Sequence, residues 1–136
     1  MTVASVRHHV HIRRPAASVW EIAGDPRRLH EWFPGIVECA VEGDTRTITL
    51  RTGMALLERI VTTDDVLRRF QYRITSPLVQ DHQGTIDVID LGDATSLVVY
   101  STDAEPRTMA LVVGGGTAAA LQALKRLLEE QSEEDA

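Results

Sequence analysis

Val6, His8, Val10 and Ile12 alternate with Arg7, His9, His11 and Arg13, the period of two that marks a strand with one face buried. Pro15 ends that strand and suits a first helical position. Ala16, Val19, Trp20 and Ala23 then share one helical face before Gly24 stops the run. Asp25-Pro26 predicts a second short helix through Leu29 and Trp32, with Asp25 accepting hydrogen bonds from the freed backbone donors and Pro34-Gly35 forcing the exit. From Ile36 onward, turn signals at Gly43-Asp44, Gly53, Asp64-Asp65, Ser76-Pro77 and Gly92-Asp93 divide the chain into six further strands of an antiparallel meander. Pro106 opens the last element. There Val113, Thr117, Ala120, Leu121, Leu124, Leu127 and Leu128 form an apolar stripe opposed by Gln122, Lys125, Arg126 and Glu129. A helix over residues 106–130 would be ~37 Å long at 1.5 Å per residue, too long for a short loop to hold, so the sheet must wrap it.

Composition narrows the function classes. A chain of 136 residues supports one core, and the division expected is one domain over residues 1–130 followed by an acidic tail over 131–136. The net charge is −6, and Glu129, Glu130, Glu133, Glu134 and Asp135 carry five of those negatives, leaving the body close to neutral. Such a balance gives no field to attract nucleic acid or an anionic membrane. Cys39 is the single cysteine, which rules out an intramolecular disulfide and fits a reducing, cytoplasmic setting. The longest uncharged, mostly apolar run, residues 109–123, falls short of the ~18 to 20 needed to span a bilayer, so no stable membrane insertion is expected. A monomer or weak homodimer is expected.

The stretches at residues 15–20, 25–34 (DPRRLHEWFP), 45–50 (TRTITL), 57–65 (LERIVTTDD) and 70–74 (FQYRI), followed by the long terminal helix, resemble in their collinear order the helix-grip superfamily. This superfamily is also called START-like or SRPBCC, and the likeness is to its bacterial polyketide cyclase/dehydrase and lipid-transport branch. The resemblance implies an α+β fold: a curved seven-stranded antiparallel sheet wrapped around the C-terminal helix, with two short helices between the first and second strands. It also implies a ligand cavity between sheet and helix, without fixing a reaction, because the superfamily places carriers, receptors, cyclases and chaperone cofactors on one scaffold.

Strand alternation then proposes the cavity wall. Leu56, Glu58 and Ile60 share one face of their strand, Leu57, Arg59 and Val61 the other. Similarity to plant hormone receptors of the superfamily, whose glutamate at the matching position faces the pocket, implies that Glu58 points inward; an exposed glutamate beside Arg59 is the alternative. Phe70 and Tyr72 share a face on the next strand, and His82 and Ile86 on the one after. Tyr72 and His82 are thereby brought toward Glu58, unless Tyr72 is simply a core aromatic and His82 lies at a wet mouth. Tyr100 is assigned to the same ligand-binding wall. Trp32 and Phe33 before a turn, Met54 at a hairpin tip, and Leu78 within residues 76–79 are apolar residues on connecting segments, which predicts a lid opposed by Met109 and Val113. The alternative is that Trp32 and Phe33 plug the core.

Other candidates yield to structural explanations. His9 and His11 lack the further ligands a metal site needs, so no metal is expected. Gly114-Gly115-Gly116 lacks the Lys-Ser/Thr of a phosphate loop. Cys39 has no evident His partner, Ser18 and Ser101 sit in no nucleophile elbow, and Arg27-Arg28 is too small a patch for nucleic acid. The reading is a domain that binds a small hydrophobic or amphipathic, lipid- or polyketide-like ligand, with no cofactor. A cyclase or dehydratase using Glu58, Tyr72 or His82 for proton transfer is the alternative, and a protein-interaction module the third.

Overall fold

The computed structural model describes residues 3–77 and 79–135, with side chains through Gln131. Strand β1 (Ala4–Ile12) leads into helix α1 (Ala16–Ala23) and a short 3-10 turn (Leu29–Glu31). The meander follows as β2 (Ile36–Glu42), β3 (Thr45–Leu50), β4 (Ala55–Asp64), β5 (Arg69–Ile74), β6 (Asp81–Asp90) and β7 (Ser96–Glu105), and α2 (Arg107–Asp135) ends the chain.

All seven strands form one antiparallel sheet in the order β1-β7-β6-β5-β4-β3-β2. Consecutive hairpins account for five of the six pairings; the sixth joins the first strand to the last, with Ala4 opposite Ala104 and Ile12 opposite Ser96. Helix α2 lies against β1 and β7, while α1 packs on β6 and β7. The buried strip of α2, Ala120, Leu121, Leu124 and Leu128, meets Val10, Ile12, Val98 and Tyr100 from the sheet. This is the stripe that the 3.6-residue spacing predicts. Full burial of each large aliphatic there contributes ~2 to 3 kcal/mol.

Two details of the helices depart from expectation. The second short helix is a single 3-10 turn, because the Asp25 carboxylate accepts the Arg27 N–H in a tight local turn and Pro34 follows too soon for a regular helix to grow. At the other end α2 runs through Asp135, so the acidic residues after Glu130 continue the helix. Nothing in that run is a helix breaker, and Glu and Gln are good helix formers. Glu129 pins this end of α2 to the sheet: its carboxylate accepts from the Arg13 N–H at 2.9 Å and from Lys125 Nζ at 2.7 Å, and Lys125 also donates to the His11 carbonyl. Burial pushes the Glu129 carboxyl up, but these donors outweigh it and hold the group down at about 2.

The opposite half of α2 approaches the sheet through Gly114. A Cβ there would stand 3.0 Å from the Val6 Cβ, so a hydrogen is needed for α2 to sit this close to β1. Thr117 Oγ1 donates to the Gly114 carbonyl at 2.7 Å.

Candidate ligand-binding cleft

The strand pattern that puts Ile48 and Leu50 on the concave face of β3 also puts Arg46 there, and Glu58 lies directly opposite it on β4. Both are buried, Arg46 to 1 % and Glu58 to 4 % relative exposure. Neither charge could be carried there alone, since an unpaired buried charge costs several kcal/mol. Arg46 Nε donates to Glu58 Oε1 at 2.7 Å, and the second guanidinium nitrogen lies 2.6 Å from the same oxygen. The third nitrogen donates to the Pro26 carbonyl at 3.2 Å. The guanidinium also lies over two rings, 5.2 Å from the Phe70 centroid and 4.9 Å from that of Tyr72. Arg46 is therefore buried between an anion, a carbonyl and two rings, with Nη2 close to Glu58 Oε1 but making no aligned hydrogen bond among the described residues.

Beside this pair the hydroxyls of Tyr72 and Tyr100 are hydrogen-bonded to each other. Gly84, opposite Tyr72 on β6, makes room for the phenol, since a Cβ there would come within 2.5 Å of the Tyr72 ring. Burial is the largest influence on the titrating groups. It raises the Glu58 carboxyl above the ordinary carboxylate range, with Arg46 pulling back toward the charged form. Burial opposes charge on Arg46 most strongly of any single influence, but Glu58, Tyr72 and Tyr100 together outweigh it and the guanidinium is held more firmly protonated than usual. Both tyrosines are raised by burial and stay neutral phenols at any ordinary pH.

Glu58, Tyr72 and Tyr100 form the inner end of a half-open cleft of about 500 Å³. Its sheet walls are apolar: Ile36, Ile48, Leu50, Leu56 and Ile74. Leu29 and Phe33-Pro34-Gly35 close one side, α2 supplies Val112, Val113 and Thr117, and Arg51 and Thr52 from the β3–β4 turn stand at the cleft as exposed polar residues. Such a lining, mostly apolar with a few converging polar groups, is typical of small-molecule sites.

Of the residues singled out from sequence, Phe33, Leu56, Glu58, Tyr72, Tyr100 and Val113 line this cleft. The others lie elsewhere. Trp32 is buried behind Phe33 and Tyr100, with ring centroids at 6.3 and 6.1 Å, so it packs the core and does not face the cleft. Phe70 lies beneath Arg46, Ile86 is buried in the core, and Ile60 is half-buried against that core. Met54 is 60 % exposed on its turn and Met109 half-buried near the start of α2, neither of them lining the cleft. Leu78 lies outside the described residues.

His82 is buried but separated from the cleft. Its Nδ1 accepts the Ile74 N–H at 3.0 Å, its ring packs 5.5 Å from that of Tyr72, and Nε2 has no hydrogen-bond partner among the described residues. Burial lowers its pKa to about 4, so the imidazole is neutral at physiological pH. It is poorly placed to exchange a proton with anything bound beside Glu58.

Sequence reasoning missed Arg46, although the signal was present. Arg46, Ile48 and Leu50 alternate with Thr45, Thr47 and Thr49, so an inward Ile48 carries Arg46 inward too. His9 and His11 are exposed on the convex face, and no group of three or more potential metal ligands occurs among the described residues. Burial raises the Cys39 thiol, making it less reactive than a free cysteine. No described helix is long and apolar enough to cross a membrane.

Three solved structures show how widely this architecture recurs. The Bacillus cereus protein XoxI is 24 % identical over 95 % of this chain and 98 % of its own, with a TM-score of 0.87. The Zhui aromatase/cyclase from Streptomyces sp. R1128 is 21 % identical over 96 % of each chain, with a TM-score of 0.79. Norcoclaurine synthase from Thalictrum flavum, solved with dopamine and hydroxybenzaldehyde, is 18 % identical over 95 % of this chain and 88 % of its own, with a TM-score of 0.74. At these identities the likeness carries the fold alone. Among curated proteins none matches. The family model described as polyketide cyclase / dehydrase and lipid transport matches residues 3–129, nearly the whole sheet-and-helix body, and the chain belongs to that family.

Proposed function

We propose that the cleft binds one small amphipathic molecule, its apolar body against Ile48, Leu50, Leu56 and Val113 and its polar group at Glu58, Tyr72 and Tyr100. The observation that carries this reading is the inner end itself. A buried carboxylate with one oxygen tied to Arg46 and two neutral phenols line a mostly apolar cleft of about 500 Å³. Apolar burial supplies affinity at ~25 cal/mol per Å², and the polar groups fix orientation. The test is titration with a neutral fluorescent probe such as N-phenyl-1-naphthylamine. Saturable binding is expected in the native protein and should be lost in Leu56→Trp, whose indole would occupy the cleft. Equal binding by both, with both folded by circular dichroism, would place the ligand elsewhere.

A second reading draws on the same geometry. A carboxylate and a hydroxyl donor at one end of an apolar cleft are what a cyclase or dehydratase needs: Glu58 to take a proton from carbon next to a carbonyl, and a tyrosine hydroxyl to hold the carbonyl oxygen. Exchange of α-protons of a bound aryl ketone for deuterium, followed by NMR, tests it. Faster exchange in the native protein than in Glu58→Gln is the expected result; equal rates would leave binding alone.

A further inference from the structure

The cleft carries a charge pattern that discriminates between ligand head groups. Glu58 lines it while Arg46 does not, because the guanidinium is held by Glu58 Oε1 and the Pro26 carbonyl and is buried against the Phe70 and Tyr72 rings. The positive charge is thus sealed behind the wall, and the wall presents a carboxylate. Arg46 approaches only Oε1, and Oε2 has no hydrogen bond among the described residues. The Tyr72–Tyr100 contact uses one phenolic proton of two, so one hydroxyl still has a proton to donate. The inner end therefore offers one anionic acceptor and one neutral donor. At the other end Arg51 is exposed and is the one cationic side chain among the described residues lining the cleft.

We infer that the inner end selects a neutral hydroxyl, phenolic or enolic, and rejects a carboxylate, so that any anionic group on the ligand stays outside at Arg51. The hydroxyl donates to Glu58 Oε2 and accepts from the unused tyrosine proton, satisfying both protein groups at once. A carboxylate in the same place has no proton to donate and meets Glu58 across an apolar wall where water screens little. It does not reach Arg46, which is 1 % exposed and does not line the cleft. This inference deepens the binding reading above and rests on it, and it names the ligand class: a hydroxylated apolar molecule with its anionic end, where it has one, outward, rather than a fatty acid inserted head first.

The experiment compares 4-octylphenol with 4-octylbenzoate, matched in ring and tail, as competitors for the neutral probe at neutral pH. The phenol should bind at least tenfold more tightly. In Glu58→Gln the preference should fall to threefold or less, because the amide removes the negative charge. Since that variant leaves Arg46 unpaired, the double variant Arg46→Met/Glu58→Leu serves as a second measurement and should lose the preference as well. At the mouth, Arg51→Gln should weaken 12-hydroxydodecanoate at least threefold more than dodecanol. Benzoate binding as tightly as phenol, or a tenfold preference surviving in both Glu58 variants, would overturn the inference while leaving the cleft a binding site. Failure of every probe and competitor to bind would remove the binding reading, and this one with it.

Discussion

Glu58 and His82 are both ionisable, both carried inward by strands of the same sheet, and buried to 4 % and 2 %, yet they have opposite roles. Glu58 meets a cross-strand cation and lines the cleft, whereas His82 spends Nδ1 on the Ile74 N–H and does not line it. The first is a polar group held in place by an opposing charge. The second is a neutral ring that tolerates burial by giving up its proton. Depth in the core does not distinguish them; the partner and the neighbouring space do.

The most forceful way to break this comparison is to remove the partner. Arg46→Met should destabilise the fold by ~3 to 5 kcal/mol, because it leaves a carboxylate buried without its cation. Arg46→Met/Glu58→Leu should recover most of that loss in urea unfolding. If the double variant is as unstable as the single one, the pair is not a matched charge unit. Leu124→Ala supplies an apolar yardstick for the same core and should cost ~2 to 5 kcal/mol, with a loss below half a kilocalorie contradicting its place under the sheet.

Acid sharpens the contrast through the sign of each contribution. With the His82 pKa lowered from 6.5 to about 4, the unfolded chain binds the proton more readily in that interval. Stability from the neutral ring is full above 6.5 and declines as pH falls, by about 3 kcal/mol on reaching 4. The raised Glu58 carboxyl acts oppositely: its contribution is present below 4.5 and is lost as pH rises through its folded value. His82→Asn retains an acceptor for the Ile74 N–H and should flatten the loss between pH 6.5 and 4. An unchanged slope would assign acid sensitivity to other groups. The smallest expected effect is at the phenol pair, where Tyr100→Phe removes the buried Tyr72–Tyr100 hydrogen bond and should lower stability in urea unfolding by ~1 kcal/mol; no loss would mean that the two hydroxyls do not support each other.

The same pair of residues shows how far the sequence could be read. Period-two alternation grouped Glu58 with Leu56 and Ile60, and the family resemblance turned that group inward together with Tyr72 and His82; the same alternation could have carried Arg46 inward with Ile48, because alternation reports which residues share a side of the sheet. It does not report depth along the grip. That depends on which stretch of sheet α1, the 3-10 turn and α2 cover, and it separates Tyr72, at the cleft, from His82, sealed away on the neighbouring strand. Connecting segments were harder still. Trp32 and Met54 both read as lid residues, but one packs into the core behind Phe33 and the other stands in solvent, since an apolar residue on a loop can be drawn inward or left outside by a shift of a few ångströms. The long-range form of the fold was legible because it rests on repeated signals: the apolar stripe of α2 from Val113 to Leu128, and hairpin turns at regular spacing. The cleft depends on single contacts, and those are set by register.

The register pairing of Arg46 with Glu58 also bears on descent. A lineage that replaces one of the two passes through an intermediate with a bare charge in an apolar wall, so the positions are inherited as a couple or abandoned as a couple. Relatives should accordingly sort into two stocks, one keeping the charged floor and one with an oily floor, and the sorting would show at the two positions aligned with Arg46 and Glu58 before a ligand is known for either.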